Sequence, residues 1–194
     1  MDSLLGNIGD IDVKDCGELT KHSLSLFPSL IDEKRLVVYG GSHGGFMTGW
    51  LIGHPEYKDL WAAASIWNGV LDMAYMITST DIPDWIYACC LKKDFNFFEE
   101  DYSSELGKAF IDKSPISVVR NVKTPTLILV GSGDRRVPPH QSYFYYHSLL
   151  NQKVPTKLLN YPDSGHGLLQ NNEHFHDASI NISFWMNKFT NKSE

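Results

Sequence analysis

Short apolar runs along this chain alternate with longer stretches in which apolar residues recur at helical spacing. Residues 126–130, Thr-Leu-Ile-Leu-Val after Pro125, form a continuous run of the kind that is typical of a buried strand. Similar runs predict two further buried strands at residues 35–40 and 61–67, and another strand at residues 156–161. The pattern therefore indicates four strands separated by helical segments.

Helical periodicity predicts the segments between these strands. It covers residues 10–27, where Pro28 ends the helix, then residues 43–54, then a segment opened by Pro138 and Pro139. A last amphipathic helix is indicated by apolar residues at helical spacing: Phe175, Ala178, Ile182, Trp185 and Phe189. Strands that alternate with helices imply a parallel sheet with right-handed crossovers, and functional groups in such sheets lie at the carboxyl ends of the strands.

Glycines recur every four positions along the predicted helix at residues 43–54. They are Gly45, Gly49 and Gly53. We interpret them as a face that packs tightly on the sheet rather than as a ligand site.

The composition narrows the functional classes. The chain has 194 residues, of which 42% are hydrophobic, enough for one packed domain. A net charge of −6 without a basic cluster argues against nucleic acid and anionic membranes as partners. No apolar run approaches the roughly 18 residues that span a bilayer, and residues 1–6 lack the features of a signal peptide. Three irregularly spaced cysteines indicate reduced thiols and a cytoplasmic location: Cys16, Cys89 and Cys90.

Residues 40–44 carry the most informative motif, Gly-Gly-Ser-His-Gly. It follows a predicted strand and precedes a predicted helix, which is the order of the nucleophile elbow of serine hydrolases. A serine on such a sharp turn exposes its hydroxyl, and the following helix N-terminus offers N–H groups to a developing negative charge. We expect the backbone to approach so closely that side chains at Gly40 and Gly44 would clash. Ser42 is the candidate nucleophile, and the alternative is a glycine-rich helix entry with a buried serine.

Two further polar residues follow predicted strands. Asp134 follows the third strand, and His166 lies in a glycine-flanked loop after the fourth. An imidazole in that loop can reach the serine, and the chain order Ser, Asp, His is that of the α/β-hydrolase fold. Asp163 competes as the acid, but it lies three residues before His166 and is better suited to shape the turn. The alternative for Asp134 is a salt bridge with Arg135 or Arg136.

The other histidines fit this role less well. Three lie within predicted helices or at their ends: His22, His54 and His147. His140 lies on the helix after Asp134, and His43 is better used through its backbone N–H. His174 and His176 form a His-x-His pair, but no carboxylate at suitable spacing completes a metal site. We therefore expect no metal ion and no cofactor.

Four segments of the chain carry a resemblance to a known family: residues 40–46, 79–85, 112–116 and 134–138. They resemble the C-terminal hydrolase domain of the prolyl oligopeptidase family, and within it the acylaminoacyl-peptidases. The stretch Thr-Asp-Ile-Pro-Asp-Trp at 80–85 is the specific part, because many hydrolases share the elbow. The resemblance extends over nearly the whole chain. It implies an α/β-hydrolase fold and the release of an N-acylated amino acid from the blocked N-terminus of a short peptide.

The same resemblance implies roles for individual residues. By the family pattern Ser42 is the nucleophile, His166 the general base and acid, and Asp134 the orienting carboxylate. The backbone N–H of His43 would supply one oxyanion donor. Arg136 matches the position of an arginine that binds a substrate carbonyl in this family, and an ion pair with a nearby carboxylate is the alternative.

Residues 70–113 interrupt the alternation of strands and helices. They contain an acidic patch at 99–101 and a concentration of aromatic side chains: Trp85, Tyr87, Phe95, Phe97, Phe98 and Tyr102. We interpret them as a helical excursion above the sheet that lies over the site, with Trp85 beside the substrate pocket. The alternative is packing against a propeller or another subunit.

The chain departs from the family pattern in its extent. The family carries a large β-propeller before the hydrolase domain, and this chain has none; the family's His-Gly-Gly-Pro segment on the oxyanion side also has no counterpart. About half of the usual strands are predicted, so the strand at 35–40 would present an unpaired edge. We expect residues 1–194 to be a partial hydrolase domain that self-associates or pairs with a full-length relative.

These observations lead to one primary expectation and two alternatives. The primary one is a serine exopeptidase domain of acylaminoacyl type, which acts on short N-acylated peptides. The first alternative is a general esterase that uses the same triad on small esters. The second is a non-catalytic truncated product that binds a partner chain through its incomplete sheet.

Overall fold

A parallel sheet forms the centre of the computed structural model, which describes residues 3–96, 103–167 and 172–191. Its strands follow one another in space as along the chain, in the order β1-β2-β3-β4, and every neighbouring pair is parallel. Their bounds are β1 Val37–Gly41, β2 Ala63–Trp67, β3 Thr126–Gly131 and β4 Thr156–Tyr161. Since all four begin within two residues of the predicted positions, the apolar runs located them correctly.

Helices cover both faces of this sheet. The large ones are α1 Ile11–Leu26, α2 His43–Gly53, α6 His140–Asn151 and α7 Asn172–Thr190. Side chains alternate across a strand, so the two faces have separate cores. One face packs Ile66 and Ile128 with Ile52 of α2 and Tyr145 of α6. The opposite face packs residues of β2 and β3 against α7: Ala63, Leu127, Leu129, Ala178, Trp185 and Met186.

The strand β1 differs from its prediction. The sequence predicted a buried strand, but its residues are half-buried or exposed, and Tyr39 is 66% exposed. Within the described residues β1 pairs with β2 alone, in the register Tyr39 to Ser65. The apolar run correctly indicated a strand, whereas its burial depends on a second neighbouring strand. The exposed edge was predicted and is present.

The segment between β2 and β3 is helical, as predicted. It contains α3 Met73–Met76, α4 Pro83–Leu91, α5 Ser104–Asp112 and the 3₁₀ segment Pro115–Asn121. Local capping explains where these helices begin: Pro83 occupies the first turn of α4, and the side chains of Asp72 and Ser103 accept hydrogen bonds from Tyr75 N–H and Leu106 N–H.

The excursion builds a third core with the first part of the chain. Its buried members include Ile86, Tyr87 and Phe110, which join Phe46 of α2 and Ile8. The predicted contributions of residues 97–102, including the acidic patch, lie outside the described residues. In the parts of the chain that the structure covers, no helix is long and apolar enough to cross a bilayer.

Candidate active site

A sharp turn between β1 and α2 carries Ser42. The residue has φ 57° and ψ −122°, a backbone conformation that is costly for any residue other than glycine. Backbone hydrogen bonds hold it: Ser42 N–H donates to Trp67 C=O over 3.0 Å, and Ser42 C=O accepts from Phe46 N–H over 3.0 Å and from Val70 N–H over 3.4 Å. The neighbouring strand and the first turn of α2 therefore both fix this half-buried serine.

The two elbow glycines have different reasons to be glycine. A Cβ on Gly40 would lie 2.4 Å from the carbonyl carbon of Gly44, so the predicted clash exists at position 40. A Cβ on Gly44 would meet no atom within 4 Å, so the predicted clash at that position is wrong. Gly44 supplies only the backbone that Gly40 approaches.

Ser42, His166 and Asp134 form a continuous hydrogen-bonded chain. The distance from Ser42 Oγ to His166 Nε2 is 2.8 Å, and that from His166 Nδ1 to Asp134 Oδ2 is 2.7 Å. The carboxylate of Asp134 is fully buried, while 30% of the His166 side chain remains exposed. Nδ1–H donates to the carboxylate in this arrangement, which leaves Nε2 free to accept the serine proton.

The second carboxylate oxygen of Asp134 is also occupied. Asp134 Oδ1 accepts from Arg136 N–H and Val137 N–H, each over 2.9 Å. The carboxylate is thus held by backbone donors. Within the described residues the Arg136 guanidinium pairs with Asp81 and no arginine side chain pairs with Asp134, so the alternative salt bridge is not formed. Asp163 instead adopts a positive φ of 60° and donates its N–H to Ser132 Oγ, as a turn-forming residue does.

The side chain of His43 points to the other side of the elbow. Its Nε2 lies 3.0 Å from Oδ2 of Asp12, whose Oδ1 accepts from Gly9 N–H. The ring of Trp85 on α4 approaches the imidazole edge-on at 6.5 Å. His43 is the first residue of α2, where backbone N–H groups lack partners within the helix. Its N–H is consequently available to a bound group beside Ser42.

Arg136 forms an ion pair with Asp81. Its Nε donates to Asp81 Oδ1 over 2.6 Å and its terminal nitrogen donates to Oδ2 over 3.4 Å. This guanidinium lowers the pKa of the Asp81 carboxyl, and the carboxylate in turn raises the pKa of Arg136. Both residues line an open pocket of about 310 Å³ that also borders His166. Arg136 therefore forms the ion pair with a nearby carboxylate that was the alternative to substrate binding. It also faces the space beside His166, the candidate base.

Two residues of the site, Asp12 and Asn68, were not among the residues predicted from the sequence. Asp12 holds the side chain of His43, and Asn68 donates to the backbone of the His166 loop. The available signal for Asn68 is its place directly after a predicted strand, the same signal that selected Asp134. No sequence pattern points to Asp12. Among the described residues, no cluster of three or more His, Cys, Asp or Glu side chains is arranged to hold a metal ion.

Solved structures share this architecture. An acylaminoacyl peptidase from Pyrococcus horikoshii superposes with a TM-score of 0.81 and 23% identity, over 100% of this chain and 30% of that one. A puromycin-hydrolyzing peptidase from Mycobacterium tuberculosis superposes with a TM-score of 0.82 and 22% identity, over 97% of this chain and 27% of its own. At these identities the likeness concerns the fold, and the predicted α/β-hydrolase class is confirmed.

Curated sequences share more than the fold. The acylamino-acid-releasing enzyme of Arabidopsis thaliana is 37% identical over 189 residues, and that of Mus musculus is 39% identical over 186 residues. These matches cover 97% and 95% of this chain, which spans 24% of the length of each relative. The model of the prolyl oligopeptidase family matches residues 1–192. The elbow, the hydrogen bonds that link Ser42, His166 and Asp134, and these matches agree. This polypeptide chain belongs to the prolyl oligopeptidase family.

Proposed function

We propose that this chain carries the catalytic groups of a serine peptidase of acylaminoacyl type, which releases an N-acylated amino acid from the blocked N-terminus of a short peptide. The observation that carries the proposal is the chain of hydrogen bonds from Ser42 Oγ through the His166 imidazole to Asp134, with distances of 2.8 and 2.7 Å. The relatives named acylamino-acid-releasing enzyme support the choice of substrate class.

The proposed reaction begins with attack by Ser42 Oγ on the acylated residue's carbonyl carbon. His166 Nε2 takes the serine proton as the new C–O bond forms, and Asp134 stabilises the resulting imidazolium. The imidazolium then returns the proton to the leaving amine as the C–N bond breaks, and an acyl-enzyme remains. A water molecule repeats the sequence on this ester, which frees the N-acylated amino acid and restores Ser42.

The negative charge that develops on the carbonyl oxygen needs hydrogen-bond donors. We assign one of them to the backbone N–H of His43, because it opens α2 directly after Ser42. The 3.0 Å hydrogen bond between His43 Nε2 and Asp12 Oδ2 supports this assignment, since it anchors that residue from the far side of the elbow. Removing one such donor typically lowers the rate by about 10²–10³.

The pocket beside His166 is our proposed substrate site. Arg136 lines it and has further donors beyond those used by Asp81, so its guanidinium can also contact a substrate carbonyl. Trp85 lies on the opposite side of the elbow, next to His43, where it can bound the acyl or side-chain pocket. We also propose a cytosolic location, supported by the three cysteines, which are free thiols.

An active-site probe tests the proposal on the chain itself. We expect a fluorophosphonate to label the wild-type protein and to leave Ser42→Ala unlabelled. Ser183→Ala is the matched control, because that exposed serine lies on α7 and should not affect labelling. Labelling at another residue, or none in a folded sample, would reject the serine-hydrolase chemistry. Hydrolysis of small esters without any hydrolysis of acetyl-alanine amides would reject the peptidase specificity in favour of a general esterase.

The open edge of β1 favours a second function for the chain, association with a partner. An apolar groove of about 510 Å³ runs along this edge between α1 and β1, lined by Leu19, Ile31, Val38 and Trp61 among others. Another copy or a full-length relative could add a strand there. A chain that fails to react with the fluorophosphonate but forms a stable complex with such a relative would support this function over the first.

A further inference from the structure

The proposed catalytic groups follow β1, β3 and β4, and Asn68 lies close to the ends of these three strands. It directly follows β2, is 2% exposed, and adopts a positive φ of 42°. The preceding residue, Trp67, accepts the hydrogen bond from Ser42 N–H, and Asn68 N–H donates to Leu129 of β3. Asn68 therefore lies between the elbow and the strand that leads to Asp134.

Its side-chain amide connects β3 to the loop that carries His166. Asn68 Oδ1 accepts from Gly131 N–H over 2.8 Å at the end of β3. Asn68 Nδ2 donates to the carbonyl oxygens of His166, over 2.8 Å, and of Gly165, over 3.3 Å. The amide orientation follows from chemistry, because a backbone N–H only donates and a carbonyl only accepts. A carboxylate could make the first contact but neither of the other two.

The loop is otherwise held to β3 by its backbone. Gly133 N–H donates to Ser164 C=O over 2.9 Å, and a Cβ on Gly131 would lie 2.6 Å from the carbonyl oxygens of Ser164 and Gly165. These contacts end one residue before His166. Among the described residues, the Asn68 amide makes the hydrogen bond that reaches the backbone of His166 itself.

We infer that Asn68 is a positioning residue for His166. Its amide ties the His166 backbone to the end of β3, three residues before Asp134, and so keeps the imidazole between the carboxylate and the Ser42 hydroxyl. A displacement of about 1 Å in such an arrangement lowers a reaction rate by roughly 10². The consequence for catalysis rests on the proposed function, whereas the effect on the position of the imidazole does not.

Two variants separate the amide from the backbone conformation. Asn68→Gly keeps the positive φ at no strain and removes the amide. Asn68→Asp keeps the shape and the contact to Gly131 N–H, but it directs an oxygen at the two loop carbonyls. Gln141→Met is the matched control, because the Gln141 amide is 3% exposed and bonds the backbone of Leu71, Asp72 and Pro138.

The first readout is the low-field proton resonance of His166 Nδ1–H, which its hydrogen bond to Asp134 produces and which His166→Gln should remove. The second readout is the rate of fluorophosphonate labelling per folded molecule. We expect both Asn68 variants to lose or shift the resonance and to label at least about tenfold more slowly. Gln141→Met should keep both properties even where its melting temperature falls.

Each outcome decides the inference. A wild-type resonance in Asn68→Gly or in Asn68→Asp would overturn it, as would equal changes in Gln141→Met. If Asn68→Gly does not fold, Asn68→Asp decides alone. A wild-type chain that shows the resonance but does not react with the probe would reject the proposed function, and the resonances of the variants would still decide the role of Asn68.

Discussion

The buried carboxylate of Asp134 sets the orientation of the candidate base, His166, because its two oxygens accept from different donors. Asp134 uses one oxygen for backbone N–H groups and the other for His166. The backbone contacts prevent rotation of the carboxylate, so the imidazole has a fixed acceptor. Burial of the same group excludes water that would compete for the Nδ1 proton.

Replacing this carboxylate by an amide should nearly abolish reactivity. Asn at position 134 cannot stabilise the imidazolium and can favour the wrong tautomer, so we expect Asp134→Asn to label about 10⁴-fold more slowly with a fluorophosphonate. Asp163→Asn is the control, because asparagine tolerates the positive φ of that turn. A slow Asp163→Asn combined with a normal Asp134→Asn would move the acid to Asp163.

The ion pair of Arg136 predicts a binding effect that does not depend on pH. Asp81 has a lowered pKa and Arg136 a raised one, so the pair is charged above the ordinary Asp value of about 3.9 and stays charged through the neutral range. Both side chains are nearly half exposed, which keeps their contribution to stability small.

We therefore expect Arg136→Met to weaken binding of an N-acetylated dipeptide about tenfold, equally between about pH 6 and 9, through loss of a charged donor. Protection against fluorophosphonate labelling measures this affinity without requiring turnover. Asp81→Asn is the control and should retain most of the affinity. Equal losses in both variants would leave Arg136 with a structural ion pair only.

The helix after the elbow depends on glycine for its position. A Cβ on Gly45 would lie 2.6 Å from Gly69 Cα, and one on Gly49 would lie 2.9 Å from side chains of Leu71 and Pro115. The predicted tight packing is present. The nearest partners belong to the segments between β2 and β3, and the carbonyl oxygen of Gly40 on β1 would lie 3.3 Å from the same Gly45 Cβ. The glycines thus bring α2 against the loops that surround the site.

Alanine should have opposite effects on the free energy of unfolding at two glycines, Gly45 on α2 and Gly107 on α5. Gly45→Ala forces a methyl group against backbone and should lower the free energy of unfolding by about 1–3 kcal/mol. Gly107→Ala on α5 meets no atom within 4 Å and should raise it by about 0.5–1 kcal/mol, because alanine favours the helix. Urea denaturation midpoints measure both changes. A stabilised Gly45→Ala would contradict the close approach of α2.

Helix α4 brings Trp85 beside the elbow. Its ring contacts His43 and packs against the core that α4 shares with α2. If Trp85 bounds the substrate pocket, Trp85→Ala should change the preference among acetyl-alanine, acetyl-methionine and acetyl-phenylalanine peptides in the protection assay. Trp50→Phe, within the same core but away from the elbow, is the control. Loss of stability in Trp85→Ala with an unchanged order of preference would restrict Trp85 to packing.

The folded chain has an open sheet edge at β1 next to an apolar groove. Within the described residues β1 pairs on one side only, and Tyr39 on it is 66% exposed. Unpaired backbone groups beside apolar surface favour pairing with another chain. This feature of the whole molecule concerns association and leaves the geometry of Ser42 intact.

We predict that the 194-residue chain self-associates through this edge. Tyr39→Lys should shift it toward monomer, because a lysine on an edge strand opposes pairing. Phe184→Lys is the control, since it also replaces an exposed aromatic side chain (71% exposed) by lysine, but on helix α7 rather than on the sheet edge. Sedimentation velocity measures the change. A wild-type chain that is monomeric at high concentration would contradict the prediction.

Local patterns were enough to locate the strands and the three residues of the hydrogen-bonded chain. Apolar runs mark β1 to β4, and position after a strand selects Ser42, Asp134 and His166, because parallel strands direct their carboxyl ends to one edge of the sheet. Such signals need only the residue and its near neighbours, so they can be read without knowing the packing.

Contacts between distant segments decided the rest. The exposure of β1, the free space at Gly44, the pairing of Arg136 with Asp81 and the amide of Asn68 each depend on atoms many positions away along the chain. The partners of Asn68 at His166 lie 98 positions further on, and no local pattern can contain that distance. Burial and hydrogen-bond partners are properties of the folded packing, and they determine how firmly the candidate base is held.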